Sequence, residues 1–364
     1  MGTIQGLITS YDVSENKVDV SNVLNVLELP QTPLLNLIGF DNNDPVTSPR
    51  YQWWDDVLPA LKISLAADYT AGAGSITVDD AKKVKIGNIL KIDNSIYRVT
   101  NANTTTNVLT IVVVANDANH TNGDDVEIIS DANAEGSEYQ DGNYEQKVMR
   151  FNVTQIFKDH IKITGTQRSV QQYIQENVFL DEVERKMKKL KRLIERTAWL
   201  GVRVEPSDNT APRLMGGIKY YIENDGLTAS AAFSEANFNA FLRDIYNAGG
   251  VIKEAWMNPS TKANFNSLNA DKLVVERGDT TAGKLIKTYL SDYGDLDIRT
   301  SPHIPEGLIF VFDSSKVKIK PLINRKMFFE ELAKTGDYTK GHIVGEYTLE
   351  FANPDVAGLF TISA

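Results

Sequence analysis

The stretch LDEVERKMKKLKRLIERTAWLG, running from Leu180 to Gly201, decides the fold. Leu180, Val183, Met187, Leu190, Ile194 and Ala198 recur at steps of three and four, which draws one narrow apolar stripe along a helix. Asp181, Glu182 and Glu184 occupy the early turns, and Lys188, Lys189, Lys191, Arg192 and Arg196 the later ones, a polarity that complements the helix dipole. Gly201 is a natural stop. A helix of ~24 residues is ~36 Å long. With a single stripe to bury it lies across a sheet, whereas a bundle would need several such helices. The expected class is therefore α+β.

Working outward, Phe151 to Thr166 reads as a strand entering this helix, closed by Thr164-Gly165-Thr166. Beyond it, residues 224–324 read as mixed α/β. Ser234 is placed to cap a helix with Phe238, Phe241, Leu242, Ile245 and Tyr246 on one face, ending at Gly249-Gly250. Val251 to Met257 is a candidate strand, and Asn258-Pro259 starts a second helix with Asn as cap and Pro at the first helical position. Strands are expected at Leu296 to Thr300, Leu308 to Phe312 and Val317 to Pro321. The alternation in Ile343 to Phe351 suggests antiparallel strands returning to the long helix.

Upstream, Ser75 to Val78, Ile89 to Ile92, Ile96 to Val99, Leu109 to Val112 and Val126 to Ile129 are short β-type runs separated by polar turns. This spacing reads as a small all-β barrel or sandwich over 63–130. The run Val108 to Ala115 suggests a buried strand. Tyr51 to Leu61 before this module and Asn133 to Val148 after it look like one element interrupted by an insertion. Residues 1–50 carry apolar pieces, Val23 to Leu27 and Leu34 to Ile38, between polar stretches, as an arm that packs on another surface would.

Composition narrows the function. The chain has 364 residues, 42% hydrophobic and 24% charged, which suffices for a sizeable core. It has no cysteine, so disulfides, thiolate metal sites and cysteine nucleophiles are excluded. The N-terminus lacks a signal peptide's basic and apolar regions, and no apolar run approaches the ~20 residues of a spanning helix. The formal charge of −10 is opposite in sign to that of proteins that grip DNA phosphates, so a role beside DNA is enclosure.

Chemistry-bearing motifs are weak. Gly278 to Lys284 fits the G-x-x-x-x-G-K part of a phosphate-binding loop, but Leu285 stands where Ser or Thr should hold magnesium and Asp279 places a negative charge in the cradle. His120, His160, His303 and His342 form no metal-binding spacing, and there is no G-x-S-x-G elbow. Asp55-Asp56, Asp79-Asp80 and Asp124-Asp125 are adjacent in sequence, and strand neighbours point to opposite faces. They read as solvated turns, with Asp124-Asp125 a weak calcium candidate. No catalytic residue, cofactor or metal is expected. Trp53-Trp54 stands out, because adjacent strand residues face opposite ways and at least one Trp needs a partner surface; an intersubunit contact fits. The basic groups Lys188, Lys189, Lys191, Arg192 and Arg196 are either a solubilising face or a face turned toward enclosed DNA.

The order of parts resembles the major capsid proteins of tailed bacteriophages and herpesviruses (the Hong Kong phage-type capsid fold). The resemblance rests on Trp53-Trp54-Asp55-Asp56-Val57-Leu58, Glu135-Gly136, Asn152-Val153-Thr154-Gln155-Ile156-Phe157, Thr164-Gly165-Thr166, the helix from Leu190 to Glu195 into Gly201, and Leu214-Met215-Gly216-Gly217-Ile218. It implies an N-arm at 1–50, an extended loop at 51–62 and 131–150 carrying the β insertion at 63–130, a peripheral domain with a spine helix at 151–223 and 325–364, and an axial domain at 224–324. It further implies hexamers and pentamers in an icosahedral shell around double-stranded DNA, scaffold and portal partners, no membrane, and assembly in the host bacterial cytoplasm. An encapsulin-type compartment shares this fold, and a carbohydrate-binding virion protein would also be β-rich and acidic but leaves the long helix unexplained.

Overall fold

Pro33 opens the first helix, α1 (Pro33–Ile38), where its missing N–H is harmless, and Leu34 and Leu35 of that helix are buried. The computed structural model describes residues 32–40, 43–56, 61–133, 135–136, 147–169, 178–208, 210–268, 288–334 and 336–363. The arm piece Val23 to Leu27 and the loop Gly278 to Lys284 lie outside these. Strand β1 (Arg50–Asp55) follows α1 and pairs with β8 (Val148–Val153) in a two-stranded ribbon. The chain divides into two compact units, one from Trp54 to Arg150 and the other made of the chain on either side of it.

The Trp54–Arg150 unit contains β2 (Lys62–Ser64), β3 (Ser75–Thr77), β4 (Asn88–Ile92), β5 (Ser95–Asn103), β6 (Val108–Ala115) and β7 (Asp125–Asp131). They form one antiparallel sheet in the order β2-β7-β4-β5-β6-β3. Its edge strands meet through a Leu65–Val78 bridge, with Ala66 N–H donating to Thr77 O at 2.9 Å and Asp79 N–H to Ser64 O at 3.0 Å. The sheet therefore closes on itself and leaves few open edges. Alternate residues fill the interior: Ile63, Leu65, Ile76, Val78, Leu90, Ile92, Tyr97, Val99, Leu109, Ile111 and Val126. The valine run of β6 departs from expectation. Val112, Val113 and Val114 are exposed, because only Leu109 and Ile111 point inward and the strand outruns the core beyond them.

The other unit continues with β9 (Gln155–Thr164), α2 (Gly165–Ser169), α3 (Val178–Leu200), α4 (Ile218–Asp225), β10 (Leu227–Ala231), α5 (Glu235–Asn247), β11 (Glu254–Met257) and α6 (Pro259–Leu268). It ends with β12 (Thr288–Ser291), β13 (Gly294–Thr300), β14 (Leu308–Phe312), β15 (Val317–Pro321), β16 (Phe328–Leu332), β17 (Tyr338–Phe351) and β18 (Gly358–Ile362). Two sheets organise it. The long strand β17 pairs with β9 along one edge and with β16 and then β15 along the other. A six-stranded sheet runs β10-β18-β14-β11-β13-β12. The chain thus crosses between sheets near its end: Val317–Pro321 joins β17, while the C-terminal β18 lies between β10 and β14. Pairing over long sequence separations, not chain order, assigns each strand to its sheet.

Helix α3 buries Val183, Leu190, Ile194, Ala198 and Trp199 in a core shared with Ile161, Phe310, Phe312, Ile343 and Tyr347. Leu180, expected in the stripe, is exposed; Phe179 packs there instead, edge-on to Phe329 at 5.6 Å. Ser234 caps α5 by accepting from Asn237 N–H at 3.2 Å, and Asn258 caps α6 by accepting from Ser260 N–H at 2.9 Å. On α5, Phe238, Phe241, Leu242 and Ile245 are buried, whereas Tyr246, expected on the same face, points outward.

Candidate functional site

Two side-chain groups are predicted for function, the basic face of α3 on the larger unit and the Trp53–Trp54 pair at the chain position where one unit ends and the other begins. On α3 the deciding residue is Glu195, fully buried in the helix's inner face. Its two carboxylate oxygens each accept a backbone N–H of α1, from Leu34 and Leu35, at 3.0 Å. Trp199 Nε1 lies 3.5 Å away. The long helix therefore caps the short one across more than 150 residues of chain, satisfying donors that six helical residues leave open. Burial pushes the Glu195 carboxyl above the ordinary glutamate value, against the pull of the two backbone donors, Trp199 and the charge of His303.

The basic residues of α3 divide into two sets. Lys188 pairs with Glu184 at 3.1 Å, Lys189 with Asp159 at 2.8 Å beside Lys186 at 3.2 Å, and Lys191 Nζ lies 5.5 Å from the Phe40 ring centre. Arg192 and Arg196 are exposed and make no ion pair with a described residue. Surface pairs of this kind stabilise by well under ~1 kcal/mol each, so they orient side chains more than they hold the fold.

The end of α3 explains the glycines that follow. Gly217 N–H donates to Gly201 O at 2.8 Å, and a Cβ on Gly217 would lie 2.6–2.8 Å from Thr197 O, Gly201 N and Ala198 O. Only glycine lets the 214–218 segment approach the helix backbone so closely. Asn152, fully buried, completes the junction: it accepts from Gly216 N–H at 2.9 Å and donates to Gly216 O at 3.0 Å and to Leu349 O at 2.7 Å. Beside it, Glu346 forms ion pairs with Arg213 and Arg325, both at 2.9 Å, and accepts from the Thr154 hydroxyl.

On β1, Trp53 and Trp54 take opposite faces, as adjacent strand residues must. Trp53 is 7% exposed, stacked on Tyr51 at 5.9 Å and edge-on to Tyr221 at 5.8 Å. It belongs to the core of its own chain, and its buried Nε1 has no hydrogen-bond partner. Trp54 is 64% exposed. Tyr51 anchors the strand further, with its hydroxyl donating to Glu350 at 2.7 Å and accepting from Lys320 at 2.8 Å. The carboxylate pairs separate in the same way. Asp55 is buried against Arg150 at 2.6 Å, while Asp56 is exposed and 3.6 Å from Lys147. Asp79 and Asp80 close backbone turns: Asp80 accepts from Lys82 N–H at 3.0 Å. His342 lies 3.5 Å from Glu330.

The larger unit thus lays a long helix on a sheet, and β1 pairs with β8 in a two-stranded ribbon. A family model described as SU10 major capsid protein matches residues 6–363. The chain belongs to the SU10 major capsid protein family. It is a phage major capsid protein, a subunit of the virion shell. Solved structures agree on the fold. The chain is similar to the cyanophage A-1(L) capsid asymmetric unit, with TM-score 0.56 and 10% identity over 97% of this chain and 99% of that one. A native GTA particle capsid matches with TM-score 0.54 and 9% identity over 98% and 97%, and a chain from Mycobacterium phage Bobi with TM-score 0.51 and 10% identity over 98% and 99%. No curated protein sequence matches. Among the described residues no helix is long and apolar enough to cross a membrane.

Sequence reasoning missed Glu195, Asn152, Glu346 and the Tyr51–Lys320–Glu350 cluster. A buried Glu inside a basic helical stretch looks like surface charge until its partner is known, and here the partner is backbone N–H, which has no sequence signature.

Proposed function

We propose that this capsid protein assembles as hexamers and pentamers, with Trp54 as an intersubunit anchor and α3 turning Arg192 and Arg196, flanked by Lys188, Lys189 and Lys191, toward enclosed double-stranded DNA. The observation that carries the reading is the split of the tryptophan pair: one ring is spent on the core and the other is left 64% exposed on a short ribbon. An exposed Trp is a large apolar anchor of the kind enriched at interface hot spots. On this reading residues 1–50 are the arm, 51–62 and 131–150 the extended loop reaching over the next subunit, and 63–130 a module carried on that loop. Residues 151–223 and 325–364 form the peripheral domain and 224–324 the axial domain, apart from the strand exchange already described. A scaffold and a portal are the expected partners, assembly takes place in the host cytoplasm, and the subunit performs no catalysis.

The test is Trp54→Ala, followed by sizing chromatography and negative-stain microscopy. The variant is expected to stay soluble and folded while shells or rings are lost. Full-sized shells formed at wild-type yield would remove Trp54 from the interface. For α3, Arg192→Gln with Arg196→Gln is expected to leave empty shells intact and lower the DNA content of filled ones; unchanged filling would assign these residues to solubility alone.

A further inference from the structure

The Trp54–Arg150 unit holds a buried side-chain cluster around His120. His120 is 4% exposed, and its ring lies 6.0 Å from the rings of both Tyr69 and Tyr97. Its backbone is fixed to Tyr69 by two hydrogen bonds, at 2.9 and 3.0 Å. His120 Nε2 is 3.2 Å from the Tyr97 hydroxyl, which is itself 3.2 Å from Asp117 Oδ1. The Tyr69 hydroxyl donates to the same carboxylate oxygen at 3.0 Å. The Tyr97 hydroxyl also lies 3.5 Å from Ala118 O, and with its hydrogen on Asp117 or Ala118 its oxygen accepts from Nε2–H. In that tautomer the lone pair sits on Nδ1.

That Nδ1 is buried with no hydrogen-bond partner. It faces Asp93, whose Oδ2 is 3.6 Å away, and Asp124; one ligand atom from each of the three residues lies within 4.8 Å of the others. The Asp124 carboxylate is held in place by Thr121, through its N–H at 2.8 Å and its hydroxyl at 3.0 Å. A lone pair and two carboxylates facing one another repel. The same grouping is complementary to a divalent cation. The geometry points to a metal site formed by His120 Nδ1, Asp93 and Asp124, selective for a transition-metal dication of the zinc class. Imidazole favours such ions over calcium and magnesium, which prefer all-oxygen sets. Around an ion with ligand bonds of ~2.0–2.2 Å, tetrahedral ligand atoms sit roughly 3.3 Å apart. The exposed Asp93 side chain can close that gap, leaving a fourth position for water. The Asp117–Tyr97–His120 chain is the outer hydrogen-bonded support that metal-bound histidines commonly carry. A bound ion would pin the β4–β5 turn to the 120–124 segment.

The test uses the untagged full-length chain stripped with EDTA. Zn2+ and Ca2+ are titrated by calorimetry, and Co2+ by its visible absorption, into wild type, Asp93→Asn and Asp124→Asn. Both replacements keep the fold: asparagine tolerates the positive φ of 51° at position 93, and the amide oxygen introduced by Asp124→Asn still accepts from Thr121. The expected result is one Zn2+ per chain, Co2+ bands typical of nitrogen ligation, and affinity about tenfold or more weaker in each variant. His120→Gln, checked for folding by circular dichroism, should abolish the Co2+ bands. The proposal is overturned by the absence of stoichiometric Zn2+ binding. Equal binding by the Asp93→Asn/Asp124→Asn double variant, or tighter binding of Ca2+ than of Zn2+, would overturn it as well.

Discussion

The two units of this capsid protein bury different things. In the Trp54–Arg150 unit the apolar core is built from aliphatic residues and two tyrosines, joined by a few buried polar groups, Asp55 with Arg150 and His120 with Tyr97. The larger unit buries Glu195, Glu346, Asn152 and Thr348, and ties them to groups about 60 to nearly 200 residues away. Local alternation specifies the apolar interior of the first. The second needs distant polar groups to find one another, and each leaves a buried donor or acceptor unsatisfied if it fails. Damage to these polar ties should therefore be costly at single residues, while the strand-lined interior of the smaller unit should respond mainly to loss of apolar volume.

The sharpest contrast lies within one strand. Trp53→Ala should cost about 3–5 kcal/mol of subunit stability, as truncation of a buried aromatic does, measured by denaturant unfolding of unassembled protein. Trp53→Phe should cost far less, because Nε1 has no hydrogen bond to lose. Next comes the cap on α1. Glu195→Ala strands the N–H groups of Leu34 and Leu35 and should cost about 2–4 kcal/mol by the same measurement. A change below ~0.5 kcal/mol would mean the arm helix is not held by this carboxylate.

How far the sequence reaches follows the same division. The α3 stripe, the Ser234 and Asn258 caps and the β runs of 63–130 are all legible, because each rests on periodicity or on a residue adjacent to what it caps. The exchange of β15 and β18 between sheets is not, since only pairing with distant strands assigns each to its sheet. The opposite facing of Trp53 and Trp54 is legible, but which of them turns inward depends on Tyr51 and Tyr221. The grouping of Asp93, His120 and Asp124 is hidden by about 30 residues of intervening strand and turn, although Asp124 and His120 each stand out separately.

A smaller effect tests the close approach at the end of α3. Gly217→Ala should destabilise by about 1–3 kcal/mol, since its Cβ meets backbone atoms that cannot move without shifting the helix. Smaller again are opposite pH slopes. Burial alone would raise Glu350, but hydrogen bonds from Lys320 and Tyr51 outweigh it and hold the carboxyl below the ordinary glutamate value. With the folded pKa below the unfolded one, this contribution is present above the ordinary value and is lost as pH falls through the folded one. Lys320→Met should accordingly flatten the acid side of the stability profile. Glu195 runs the other way: its raised pKa gives stability that is present below the ordinary value and lost as pH rises through the raised one. The stability difference between wild type and Glu195→Gln should shrink with rising pH, read from denaturant titrations at successive pH values. A difference that grows with pH would overturn this assignment.

The most direct measurement is made on the assembled state. Wild type and Trp54→Ala, expressed alone or with neighbouring genes, are run on a sizing column, and the void fraction is imaged by negative-stain microscopy. Closed round shells, or hexamer and pentamer rings, are predicted for wild type and depleted for the variant at unchanged solubility. A wild-type chain that stays strictly monomeric across concentration and salt would contradict the account.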